Sequence, residues 1–177
     1  IMGRAKKLDA ERIMRSRCAF RIPTTTREGR SAFLAVGSEV PVLEALRIAM
    51  SIPFYAGRAV TWRGQQYYDG SLTEPLPFRR ALADGYTDIL VLLNIPLDWR
   101  DEEDNLALRA VKWLWLESES PAFRRAYFCR QRRYRDQLRD AAEGKVPAEA
   151  NITIVAPSPG LTRLPFYTHD SKLLKRG

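Results

Sequence analysis

The run Asp88-Ile89-Leu90-Val91-Leu92-Leu93 restricts the fold more than any other stretch of the chain. A strand with one wet face alternates apolar and polar residues, because successive side chains point to opposite faces. This run does not alternate. Continuous apolar strands belong to parallel sheets covered on both faces. The expectation is therefore a layered α/β fold with a mostly parallel central sheet and helices on either side.

The flanking segments supply elements for such layers. Residues 4–16 read as a short basic helix or a loop. Cys18-Ala19-Phe20-Arg21-Ile22 alternates like a strand, Thr24 to Arg30 carries turn chemistry around Gly29, and Ser31 to Val36 reads as the returning strand of a hairpin. Pro41 opens a helical pattern with Val42, Leu43, Leu46, Ala49 and Met50 on one face, ending before Pro53. Arg58–Trp62 and Gln66–Tyr68 form a second hairpin pattern across Arg63-Gly64-Gln65. A short helix from Pro77 to about Ala83 leads through Gly85 into the apolar run, and residues 98–105 are acidic and loop-like.

Two longer helices follow, broken near Pro121. The first carries Leu106, Leu108, Val111, Trp113, Leu114, Trp115 and Leu116. The second sets Phe123, Tyr127, Tyr134 and Leu138 against Arg124, Arg125, Arg130, Arg132, Arg133, Arg135 and Arg139. Ile152–Val155 is the last strand, ended by Pro157 and Pro159.

At 177 residues the length suits one domain, and a 45% hydrophobic composition supports a true core. No apolar run approaches the ~20 residues of a spanning helix. The start, with Ile1 before Met2, is basic and lacks the apolar region of a signal peptide, as in a chain cut from something longer. Cys18 and Cys129 have no metal-ligand spacing and read as free thiols in a reducing compartment, which places the protein in the cytoplasm. The one histidine, His169, sits in the polar run Thr168-His169-Asp170-Ser171 and reads as a solvated side chain. The net charge of +8 favours anionic partners: nucleic acid, anionic lipid or an acidic protein surface.

No P-loop, dinucleotide-binding glycine pattern or HExxH stands in the sequence. Gly29-Arg30-Ser31-Ala32-Phe33 approaches the G-x-S-x-G nucleophile elbow but ends in Phe and enters a strand rather than a helix, so Ser31 is not read as a nucleophile. The arginine-rich helix has two readings. Interleaved Arg and aromatics grip phosphates and stack on bases. Arginine stems around a buried aromatic stripe are also ordinary packing, which the helical spacing favours. Tyr67-Tyr68-Asp69-Gly70-Ser71-Leu72-Thr73-Glu74-Pro75-Leu76-Pro77 poses a similar choice. Asp-Gly is a strong turn dipeptide, because Gly takes positive φ freely and Asp tolerates it. Asp69 is thus either a turn residue or a catalytic base.

Taken together, several segments resemble the second half of the patatin-like phospholipase domain. They are Leu46–Pro53, Gly64–Ser71, Pro75-Leu76-Pro77 and Gly85–Leu92. Arg132-Arg133-Tyr134, Ile154–Ser158 and Asp170-Ser171-Lys172-Leu173 resemble the tail of one bacterial branch of that family. The match runs from about Cys18 to the end, as the C-terminal part of a single domain spanning 1–177.

The resemblance implies a three-layer patatin-like fold and a Ser-Asp dyad acting on a lipid or ester substrate, with no metal and no cofactor. Asp69 matches the dyad Asp; Gly70 and Ser71 form its supporting turn, Ser71 standing where the family often has Gly. The oxyanion glycines and the elbow Ser are not in this sequence, so the chain is expected to be inactive without the missing N-terminal half of the domain. The alternative is a non-catalytic basic module that binds nucleic acid or an anionic membrane surface through the Arg-rich helix. Sequence-specific nucleic-acid binding is the less expected of the two, and peripheral membrane attachment is compatible with either. An enzyme half should leave a large apolar face open, whereas a self-sufficient module should cover its core.

Overall fold

The computed structural model describes residues 8–54, 58–97 and 106–158. In chain order the elements are α1 (Ala10–Met14), β1 (Arg21–Thr26), β2 (Ser31–Ala35), α2 (Val42–Ala49), β3 (Val60–Trp62) and β4 (Gln65–Asp69). A 3-10 turn at Gly70–Leu72 precedes α3 (Phe78–Ala83), β5 (Asp88–Leu92), α4 (Leu106–Trp115), α5 (Pro121–Ala142) and β6 (Asn151–Val155). The fold is mixed α/β. The chain divides into two compact units, Ile1–Pro77 with Asn105–Arg135, and Phe78–Asp104 with Asp136–Gly177.

The first unit is built on a four-stranded sheet in the order β2-β1-β4-β3, every neighbouring pair antiparallel. This corrects the expectation of a mostly parallel sheet; among the described strands only β5 and β6 pair in parallel. Tight hairpins can join only antiparallel neighbours. The β3–β4 turn holds Arg63 at φ 48° and Gly64 at φ 78°. Two successive positive φ angles give the hairpin turn whose twist matches that of the strands.

β1 also lies further along than its alternation predicts. Thr24, Thr25 and Thr26 are strand residues rather than turn residues, paired with β2 on one side and β4 on the other. Their branched Cβ atoms suit a pleated, buried surface, and that outweighs their turn tendency. The turn itself begins only after Thr26, whose N–H and C=O bond Arg30 and Gly29.

Helical layers cover both faces of this sheet. On one face α2 closes a core of Ile22, Leu34, Val40, Ala45 and Ile48, with Tyr67 against it. On the other, Tyr68 and Leu72 pack with Leu116, Phe123 and Tyr127. Adjacent residues of β4 thus serve opposite cores, as strand pleating requires. The buried seam of α2 is Val42, Ala45 and Ile48; Leu43 and Met50, expected inside, are exposed. Apolar residues flank that seam on both sides, and the small Ala45 lets the helix approach the sheet.

In the second unit, β5 and β6 pair in register from Asp88↔Asn151 to Leu92↔Val155. β5 was expected to be buried on both faces. Instead it alternates, with Leu90 60% and Leu92 71% exposed, and Val155 lies exposed opposite Leu92. Among the described residues nothing covers this side of the pair. The acidic segment 98–105, Pro159 and His169 lie outside the described residues.

A buried polar link ties the core of the first unit together. The Tyr68 hydroxyl donates to Glu119 Oε1 at 2.9 Å, and Arg27 Nε pairs with Glu119 Oε2 at 3.1 Å. Burial, and then the bond to Glu119, push the Tyr68 phenol up to about 12. The neutral phenol is the form the fold favours. Its contribution is whole below the unfolded value of ~10 and is lost as pH rises toward the folded value. Tyr68→Phe should cost about 1–3 kcal/mol at neutral pH, because Glu119 keeps its burial and loses a donor. Urea midpoints across the alkaline range should fall less steeply for the variant than for the wild type.

Candidate functional site

Asp69 closes β4 and caps the 3-10 turn that follows, its Oδ1 accepting the Ser71 N–H at 2.6 Å. The turn role is therefore real. The main chain around it is held from three directions. The Asp69 N–H donates to the Ser51 carbonyl at 3.1 Å. The Thr25 hydroxyl lies 2.9 Å from the Asp69 carbonyl and 2.8 Å from the Thr73 hydroxyl. Across the sheet, Thr24 is the register partner of Asp69. An Arg133 guanidinium nitrogen of α5 donates to the Leu72 carbonyl and so holds the far end of the turn. Thr25 is fully buried and Ser51 nearly so, which leaves their polar atoms no alternative partner in water.

Gly70 is required for a reason other than the expected one. Its φ is not positive. It is buried against β1, and a Cβ there would stand 2.4 Å from the Pro23 carbonyl carbon. The residue after Asp69 must lack a side chain so that the turn can lie on the neighbouring strand. Ser71, by contrast, is exposed and contributes its backbone N–H to the Asp69 carboxylate.

Burial is the largest influence on the Asp69 carboxyl and raises its pKa; hydrogen bonds from Ser71 oppose the rise. A desolvated carboxylate is a stronger proton acceptor than one in water. It has lone pairs beyond the one bonded to Ser71. The chemistry open to the site is thus proton abstraction by a carboxylate on a fixed backbone.

The other candidates fall elsewhere. Ser31 opens β2 opposite Thr25 in a strand pair, with none of the strand-to-helix geometry of an elbow. Cys18 is exposed and Cys129 half-buried, both as free thiols. Much of the arginine-rich helix is engaged with its own protein. Arg130 lies 4.1 Å from the Tyr127 ring centre and bonds the Tyr127 carbonyl at 2.8 Å. Arg139 pairs with Asp136 at 2.8 Å, and Arg133 holds the turn. Phe123 and Tyr127 are core residues, as the helical spacing indicates.

Sequence reading missed Pro23, Thr25, Ser51, Thr73 and Arg133 as supports of Asp69. The threonine run was the available signal: three β-branched hydroxyl residues in a strand can pack and bond at once.

Gly70→Ala should destabilise the protein by about 1–3 kcal/mol, the usual cost of forcing atoms into a filled space, and more if β1 must shift. Gly64→Ala meets nothing within 4 Å and should cost only the strain of its φ of 78°, about 1–2 kcal/mol. Denaturant unfolding of both variants gives the comparison. A Gly70→Ala change cheaper than Gly64→Ala would contradict the close approach to β1.

No protein-family model matches the chain, and no curated protein sequence matches it.

Proposed function

We propose that the chain is the C-terminal part of a patatin-like Ser-Asp lipid acyl hydrolase or esterase, with Asp69 as its general base. The observation that carries the proposal is the setting of Asp69. It is a half-buried carboxylate of raised pKa at a strand end, on a backbone bonded to β1, to Ser51 and to the following turn. A carboxylate needed only to cap a turn gains nothing from desolvation, whereas a base does. The exposed apolar face of β5 and β6 adds support, because parallel strands are normally covered on both sides.

In the proposed reaction Asp69 accepts the proton of a serine hydroxyl as that oxygen attacks the ester carbonyl. Asp69 then gives that proton to the departing alkoxide, which leaves as the alcohol, and an acyl-enzyme forms. The restored carboxylate accepts a proton from water as the water oxygen attacks the acyl group, and it returns that proton to the serine oxygen as the acid is released. The serine and the backbone donors for the oxyanion come from the N-terminal half of the domain, which these residues do not include. The basic-module alternative is the weaker reading, since Arg130, Arg133 and Arg139 already have partners in the protein.

The 177-residue chain alone should not turn over nitrophenyl esters. In a parent protein carrying the serine half, Asp69→Asn should lower turnover by about 10² or more, the usual contribution of a general base. Its stability should move by under about 1 kcal/mol, because Asn also caps turns. Near-normal turnover in a folded Asp69→Asn parent would remove the catalytic assignment.

A further inference from the structure

Helix α4 has the sequence LALRAVKWLW and presents apolar side chains around almost its whole circumference. Of its two cations, Lys112 is buried and leaves the surface to its neighbours. Leu106 is 83%, Leu114 66% and Val111 59% exposed. Helices that are apolar all round are normally covered, and a contiguous exposed apolar patch marks an interaction surface. Beside this patch, α4 and the start of α5 enclose a groove of about 730 Å³. Its lining includes Trp113 and Phe128, whose rings lie 5.9 Å apart. Arg109, Arg124 and Arg125 also line it, with Arg124 lying 5.0 Å from the Trp113 ring centre. None of these three arginines makes an ion pair with a described residue.

The charge decides what can cover the face. A purely apolar protein surface laid over it would bury three guanidinium groups without counter-charge, which is strongly unfavourable. The partner must bring negative charge and hydrocarbon together. An anionic bilayer does so: its headgroups meet the arginines while Leu114, Val111 and Trp113 enter the boundary with the acyl chains. Tryptophan is the side chain most at home there. The overall charge of +8 acts in the same direction. Among the described residues no helix is long and apolar enough to cross a membrane.

We propose that α4 and the start of α5 form a docking surface for an anionic lipid bilayer, with α4 lying in the interface. The surface differs from the arginine-rich face of α5 as a whole, and it stands whether or not Asp69 is a base. The test is co-sedimentation of the 177-residue chain with vesicles of phosphatidylcholine, alone or mixed with phosphatidylglycerol, at low and high salt. Binding to the mixed vesicles only is expected, with a blue shift of tryptophan emission and weakening as salt rises.

Leu114→Glu, and separately Arg109→Glu with Arg125→Glu, should each lower partitioning by about tenfold or more. All three positions are exposed, so circular dichroism should report an unchanged fold. Asp69→Asn should bind as the wild type does, which separates this surface from the catalytic proposal. Equal binding to both vesicle types, no binding, or binding unaffected by Leu114→Glu would overturn the proposal. So would a dimer that Leu114→Glu dissolves in the absence of vesicle binding, or duplex DNA that competes fully with the vesicles.

Discussion

The pairing of β1 with β4 is the constraint on which the rest of the first unit depends. It sets Thr24 opposite Asp69 and Thr25 opposite Tyr68. One buried hydroxyl, that of Thr25, then joins the Asp69 carbonyl to Thr73 and closes the turn. The same pairing aims Tyr67 at the α2 core and Tyr68 at the α5 core. A slip of one residue would exchange those faces and move the carboxylate to the other side of the sheet. Register, packing and the position of the candidate base are therefore one property.

Close packing and polar satisfaction are achieved together around the turn. Gly70 lies against Pro23 because it has no side chain, and Arg133 reaches from α5 to the Leu72 carbonyl. The aromatic stripe of α5 fills the core while its arginines bond outward or fold over rings. Local polar groups are well matched here. Apolar surface is left uncovered on α4 and, in the second unit, on the β5–β6 pair. Three arginines line the groove beside α4.

How much of this was legible depended on whether the determining contact was local. The β3–β4 hairpin, the starts of α2 and α5 and the apolar strand β5 follow from turn residues, prolines and periodicity within a few positions. The course of β1 did not, because the strand character of Thr24–Thr26 is settled by partners on both sides. The buried seam of α2 was misplaced because apolar residues flank it. β5 was placed correctly but not its exposure, since coverage belongs to its neighbours and not to its own side chains. Asp69 could be singled out from the order of motifs. Its frame could not, because Thr25 acts from 44 residues away. The reason for Gly70, a close approach to another strand, leaves no local mark beyond the glycine itself.

The claim at the centre of this account is that the fold holds Asp69 as a desolvated carboxylate. The direct measurement is a pH titration of its side-chain carboxyl ¹³C shift by nuclear magnetic resonance, assigned by comparison with Asp69→Asn. The account predicts a midpoint above the ordinary aspartate value of ~3.9, because burial outweighs the Ser71 hydrogen bonds. A midpoint at or below that value would contradict it and leave Asp69 as a turn cap.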